Sequence, residues 1–268
     1  MKITSLQNSK IKDLVKLKDK NKRDKAKRFL IEGYREITKA ILVDVEIETL
    51  FICEELFLKD NENSLIEKIK SKNVEVFETT QDVFKKVSYR DRPDGLIALA
   101  KQFEIKLDDV EKILSKKNPL ILIMEKIEKP GNLGSILRSA DASGIDLVIV
   151  TDPVTDIFNP NVIRSSIGAI FTKPVFVTEN EKVFELLKKH NISIIATTPH
   201  TDKIYFEIDY KKPTAILVGA EQYGLSDFWI QKADDLIKIP MMGIADSLNV
   251  AAAATLVLYE ALRQRKFI

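Results

Sequence analysis

The sequence predicts an α/β protein, with a C-terminal α/β domain on a mostly parallel sheet and a smaller N-terminal α/β domain before it. Three observations predict this. From Pro119 onward, short apolar runs alternate with amphipathic stretches of helical period, the pattern of a parallel sheet covered on both faces. Seven of the nine glycines lie between Gly131 and Gly243, while the first hundred residues are rich in lysine and poor in glycine. The chain of 268 residues is 45% apolar, enough for one large domain or two of ordinary size. The expected division is a first α/β domain over residues 1–105, a linker over 106–118 and a second domain over 119–268.

In the N-terminal part the periodicity predicts a helix over 9–18, with Ile11, Leu14 and Val15 as its apolar stripe. Helices over 34–43, 63–71 and 80–86 follow, with strands at Leu50–Cys53, Val74–Phe77 and Leu96–Ala100. The polar segment 104–118 reads as a connection with a short helix. Beyond it the strands are Leu120–Met124, Leu147–Thr151, Val175–Val177, Ile192–Ala196, Ala215–Val218 and Leu236–Ile239. The helices are 132–143, 160–170, 180–190, 225–232 and 247–264. In open parallel sheets ligands bind beyond the carboxyl ends of the strands. The informative loops are therefore those after Met124, Ala196, Val218 and Ile239.

Net charge is +2 but uneven: residues 1–28 hold eleven Lys/Arg against three Asp. This basic arm carries +8 and the rest of the chain −6, so the arm suggests a polyanionic partner. A solvated helix face is the alternative. No apolar run reaches the roughly 18 residues of a membrane helix, and no signal core follows the first lysine. A cytoplasmic protein without a membrane anchor is expected. Cys53 stands alone, and His190 and His200 are the only histidines, so no structural metal is expected.

The first loop opens PGNLGSILRSA (Pro130–Ala140). Asn132 suits a helix N-cap and Gly144 its C-terminal stop. Leu133, Ile136, Leu137 and Ala140 face a core, leaving Ser135, Arg138 and Asp141 on the other side. Neither the dinucleotide nor the P-loop glycine pattern is present. The second loop, Gly219 to Ser226, places Glu221 among backbone amides after a strand; a plain turn is the alternative. The third runs from Ile239 through Ser247 to the alanines at 251–254, with Asp246 or Ser247 as a candidate cap. The alanines would let another backbone approach closely, although alanine is also simply a good helix former. The fourth, Ala196-Thr197-Thr198-Pro199-His200, offers hydroxyls to a pocket or forms a polar turn, and His200 is not favoured as a base. Met241 and Met242 read as pocket wall or core.

Together and in this order, these loops resemble the SpoU (TrmH-type) branch of the SPOUT RNA methyltransferases. The resemblance is carried by NLGSILR (Asn132–Arg138), GAEQYGLS (Gly219–Ser226) and IPM…SLNVAAA (Ile239–Ala253). FLIEGYREI (Phe29–Ile37) and DGLIALA (Asp94–Ala100) are similar to the substrate-binding domain of many members. The chain departs from the pattern at Lys129, where Asp is usual. Gln222 and Tyr223 replace smaller residues, and Ala251 replaces Ser. The resemblance implies a deep trefoil knot in the C-terminal domain, a homodimer, no metal, and S-adenosyl-L-methionine as cofactor.

The implied reaction methylates a ribose 2′-hydroxyl in RNA, with 23S-type ribosomal RNA as the expected substrate. Transfer RNA is the alternative, and a non-catalytic RNA-binding protein of the same fold is a further one. By carry-over, Arg138 is the catalytic arginine, gripping phosphate and stabilising charge on the 2′-oxygen, since its proton is held too firmly for a base. Asn132 orients the hydroxyl or Arg138, Glu221 holds Arg138, and Ser247 and Asn249 position the RNA phosphate and the third loop. Backbone groups of Gly219, Ile239 and Leu248 are expected to bind the adenosine, with Thr198 as a further contact and Met241 in the wall.

Overall fold

The computed structural model describes residues 2–59 and 61–267. It separates into two compact units, Met1–Phe103 with Asp156–Thr172, and Glu104–Thr155 with Lys173–Ile268.

The first unit opens with β1 (Lys2–Ile3), α1 (Ser9–Lys16), α2 (Lys20–Ala26) and β2 (Arg28–Glu32). It continues through α3 (Tyr34–Leu42), β3 (Ile47–Ile52), α4 (Glu62–Lys70), β4 (Glu75–Thr79), α5 (Gln81–Val87) and β5 (Leu96–Lys101). The strands form one mixed sheet in the order β1-β4-β3-β5-β2. β4 is parallel to β1 and β3, and β5 is antiparallel to β3 and β2.

The expected basic arm is not an arm. Asn8 caps α1 by accepting the Lys10 N–H at 2.9 Å, and Ile11 and Leu14 are buried with Phe77, Phe84 and Val87. The lysines therefore decorate an anchored helix. One arginine of this stretch is structural: Arg23 is buried, pairs with Asp156 at 2.7 Å and donates to the Leu17 and Lys18 carbonyls. β1, α2 and β2 were not among the expected elements. β1 is only two residues long, and in KNKRDKA no apolar stripe signals a helix.

The second unit begins with α6 (Leu107–Leu114), where a linker was expected. Its Val110 and Leu114 are buried in the core with Ile121, Leu147, Leu187 and Trp229. Two apolar residues one turn apart make it part of the domain, and the polar residues around them hid this. Next come β6 (Leu120–Glu125), α7 (Pro130–Ala142) and β7 (Leu147–Thr151). The chain then contributes α8 (Pro160–Ser165) and α9 (Ala169–Thr172) to the first unit. These replace the single expected helix 160–170, because Ile167 and Gly168 take left-handed φ of 51° and 73°. Phe158 and Phe171 pack their rings, tilted, around Phe29 there, with centroids at 4.7 and 6.2 Å.

Back in the second unit follow β8 (Val175–Thr178), α10 (Asn180–Lys189), β9 (Ser193–Thr197), β10 (Thr214–Val218), α11 (Asp227–Lys232), β11 (Asp235–Ile237) and α12 (Val250–Lys266). All six strands are parallel, in the order β11-β9-β10-β6-β7-β8. The chain lays β7 and β8 to one side of β6 and β9 to β11 to the other. The switch point thus falls between β6 and β10, where such sheets bind ligands. Register aligns the strand ends: Val218 opposes Met124, Leu217 opposes Ala196, and Ile237 opposes Thr197. The loops after these four strands therefore emerge side by side.

Candidate active site

The glycine motif after β6 starts its helix two residues earlier than expected. Lys129 is the N-cap residue of α7, with Pro130 in its first turn, and the Lys129 side chain makes no cap bond. Asn132 is accordingly not the cap; it sits inside the first turn, with its amide free to reach sideways. At the other end Gly144 behaves as expected. It takes φ 75°, with Ile145 N–H on Ala140 O at 3.0 Å and Gly144 N–H on Asp141 O at 3.2 Å, a Schellman closure. Leu133, Ile136, Leu137 and Ala140 are buried and Arg138 is exposed.

The mouth of α7 is capped from another loop. Glu221 accepts the Glu128 N–H at 3.0 Å, the Lys129 N–H at 3.2 Å and Asn132 Nδ2 at 2.7 Å. A carboxylate at a helix N-terminus is favoured by the helix dipole as well as by these donors. Burial, the strongest single influence, pushes the Glu221 carboxyl up; the bonds from Glu128, Asn132 and Lys129 outweigh it and hold it below its ordinary value. Asn132 is then used twice, since its Oδ1 accepts Asn249 Nδ2 at 3.1 Å. Asn249, not Asp246 or Ser247, is the N-cap of α12, and its Oδ1 accepts the Ala251 N–H at 3.0 Å. A single relay thus ties the second loop to the first helix and the first helix to the third loop.

The second loop is held shut. Ala220 and Gly224 exchange N–H···O bonds of 3.0 Å each way. Gly219 has no room for a side chain, because a Cβ there would overlap the backbone of Gly224 and Leu225. At its far end, Ser226 donates its N–H to Glu125 Oε2 at 2.8 Å and its hydroxyl to Oε1 at 2.6 Å. Glu125 is fully buried and also accepts Asn180 Nδ2 at 2.8 Å, while Asn180 Oδ1 accepts Trp229 Nε1 at 2.7 Å. Sequence reasoning missed Glu125, Asn180 and Trp229. The available signal was a carboxylate ending an otherwise apolar strand, LILIME, where a buried charge needs several donors.

Beside the relay opens a cleft of about 760 Å³. All five residues expected to bind a cofactor line it: Gly219, Ile239, Leu248, Thr198 and Met241. Glu221, Ser247 and Asn249 line it as well, together with Lys129 and His200. Ser247 is exposed and makes no hydrogen bond among the described residues. Arg138 does not line the cleft and has no hydrogen bond or ion pair among the described residues. The expected Glu221–Arg138 contact is therefore absent; Glu221 turns its carboxylate to the start of α7 instead. Among the described residues no group of three or more His, Cys, Asp and Glu is placed to hold a metal. No helix among them is long and apolar enough to cross a membrane.

Comparison with known proteins agrees with this geometry. Residues 119–259 match the SpoU rRNA Methylase family, and residues 8–98 match the MRM3-like substrate binding domain. The chain is 31% identical to the 23S rRNA (guanosine(2553)-2′-O)-methyltransferase RlmP of Bacillus subtilis (strain 168), over 96% of this chain and 97% of that one. Among solved structures, an RNA 2′-O ribose methyltransferase is 42% identical, with TM-score 0.87 and 99% of each chain covered. The SpoU methyltransferase AviRb from Streptomyces viridochromogenes, in complex with the cofactor AdoMet, is 31% identical with TM-score 0.86, covering 96% of this chain and 99% of that one.

Proposed function

Because the chain belongs to the SpoU rRNA Methylase family, we propose that it methylates a ribose 2′-hydroxyl of large-subunit ribosomal RNA, with S-adenosyl-L-methionine as methyl donor. The observation that carries this reading is the relay Glu221–Asn132–Asn249, in which two residues that line the cleft, Glu221 and Asn249, are joined through Asn132 at the start of α7. The cleft fits the donor: its volume lies within the roughly 300–1,000 Å³ usual for small-molecule sites. Gly219 brings backbone close, and Ile239, Met241 and Leu248 supply apolar wall. When bound there, the donor supplies an electrophilic methyl group on a sulfonium.

The chain's own contribution is alignment and charge. Holding the hydroxyl in line is worth about 7–11 kcal/mol in favourable cases. Asn132 is suited to it, because Glu221 and Asn249 fix both ends of its amide and leave one N–H and one lone pair for a hydroxyl. Arg138 has no partner to give up among the described residues, so its guanidinium is available to a phosphate and to the negative charge that develops on the 2′-oxygen. Lys129, in place of the usual acid, adds a cation at the rim of the cleft.

Two further features belong to this reading. The C-terminal unit would be knotted by passage of the last part of the chain through a loop; the support is that Asn249, within that last part, reaches back to Asn132 on α7. The chain would work as a homodimer. Met242 and Ile244 are almost fully exposed, at 96% and 102%, and Leu256 and Tyr259 stand out from α12, an apolar surface of the kind partners cover. Sedimentation should give twice the chain mass, and Ile244→Asp should shift it toward one.

Labelled S-adenosylmethionine incubated with separated rRNA and tRNA should put label into rRNA; label in tRNA alone would favour the tRNA alternative. Arg138→Ala should lower transfer by about 10²–10³-fold and leave donor affinity within about twofold. Full activity of that variant would remove Arg138 from the mechanism.

A further inference from the structure

A second, smaller cleft lies wholly within the first unit. It measures about 300 Å³ and is lined by Arg90, Asp91, Arg92 and Arg164. Three guanidinium groups on one small cleft repel one another, and such a concentration of charge favours an anion.

The three arginines differ in what they are already doing. Arg90 is committed. It pairs with Glu36 at 3.0 Å and Asp94 at 3.2 Å and donates to the Glu32 carbonyl at 2.8 Å. Gly33 makes this possible: at φ 114° a side chain there would run into the Arg90 guanidinium. The Arg90 Nε is buried and has no hydrogen-bond partner among the described residues. Arg92 and Arg164 are exposed and make no hydrogen bond or ion pair among the described residues. Among the described residues, Asp91 is the only acid on the cleft wall.

The backbone under both arginines is held by hydrogen bonds and packing. The 88–94 loop is pinned by Glu32, which accepts the Ser88 hydroxyl at 2.5 Å and the Tyr89 N–H at 2.8 Å, and by Asp94, which accepts the Tyr34 N–H at 3.0 Å. Arg164 stands on α8, whose approach is fixed by the buried Arg23–Asp156 pair and by Phe158 against Phe29. An arginine is always charged, and its planar fork matches two oxygens of a phosphate. Free forks on fixed backbones cost less entropy to engage than free forks on mobile loops.

We propose that Arg92 and Arg164, with the anchored Arg90 as a fixed wall, bind a backbone phosphodiester of the RNA that the enzyme modifies. This rests on the RNA-methyltransferase reading and adds a contact that neither the relay nor the donor cleft supplies. EGYRE (Glu32–Glu36) and SYRDRPD (Ser88–Asp94) lie against each other through Glu32, the Tyr34 N–H and Glu36, which hold the loop of the second segment under the cleft.

The test is filter binding of labelled, protein-free large-subunit rRNA to the full chain across a salt series, beside donor binding and thermal midpoint. For Arg92→Ala/Arg164→Ala, affinity should fall on the order of tenfold near 100 mM salt, and the slope of log affinity against log salt should become shallower by about 1–2. Donor affinity and thermal midpoint should stay at the wild-type values. Unchanged affinity and slope would overturn the proposal, and so would weaker binding with an unchanged slope, which would mean a non-ionic loss. Relief of rRNA binding by millimolar inorganic phosphate in the wild type, with rRNA binding of the double variant unaffected by the Arg changes, would assign the site to a free anion and also overturn it. Methyl transfer to RNA by the wild type is measured in parallel: transfer with no binding defect in the variant sinks the phosphate site alone, whereas no transfer to any RNA sinks the functional reading.

Discussion

Glu221 accepts two backbone N–H groups and one amide at the mouth of α7, and its protonation should register in stability. Its folded pKa lies below the ordinary value of 4.5. A depressed carboxylate stabilises the fold above the unfolded pKa and loses that contribution as pH falls through the folded one. Glu221→Gln should therefore cost about 1 kcal/mol at neutral pH, the low end for a bond to a charged group because the side chain is half-exposed. The gap between the two thermal midpoints should be constant from pH 8 to about 5 and close below about 4.5. A gap that widens toward acid would contradict this account of Glu221. The identity of this residue was legible in the sequence, as a carboxylate in a glycine-flanked turn. Its partner was not: Arg138 and the backbone of α7 were equally compatible with the spacing, and only coordinates separate them.

The start of α12 links element stability to chemistry. Asn249 both caps the helix, through Oδ1, and donates to Asn132, through Nδ2. Asn249→Ala should lose both functions, at about 0.5–2 kcal/mol for the cap, with a slower transfer rate. Asn249→Asp keeps an acceptor for the Ala251 N–H but has no amide hydrogen for Asn132. It should recover the thermal midpoint and not the rate; recovery of both by Asp would show that the Asn132 contact is idle. Glu125 does similar work for the second loop, where four donors converge on one buried carboxylate or its neighbours. The elements themselves were largely readable: every expected strand of the second unit is present within about two residues. What failed was at their ends, where cap positions slid from Asn132 to Lys129 and from Asp246 or Ser247 to Asn249. Any of several adjacent polar residues can cap, and the choice is made by where the loop is pulled.

At the level of the whole molecule, the unit boundaries do not follow the sequence order. Residues 156–172 interrupt the second unit and pack into the first, where Phe158 and Phe171 surround Phe29. A fragment containing only residues 104–268 would leave Phe158, Ile163 and Phe171 without that core. It should scatter light on concentration and melt lower than the full chain, as expected of exposed apolar surface. A fragment that stays monodisperse and melts at the full-chain temperature would show that these aromatics find cover elsewhere. At 106–118 the short helix was expected but not its place: α6 buries Val110 and Leu114 in the second core, and an amphipathic period shows a helix without showing which core takes its apolar face.

The order of residues was enough to determine the alternation of strands and helices, the three loop motifs and the chemistry they resemble, because these depend on local period and on residue type at fixed spacing. It could not decide which side chain each polar atom meets, which cap is used, or which core claims a segment far along the chain. Those outcomes depend on register and on the approach of segments far apart in the chain, 89 residues between Asn132 and Glu221, and distance along a chain carries no information about such meetings until the sheet has placed its strand ends side by side.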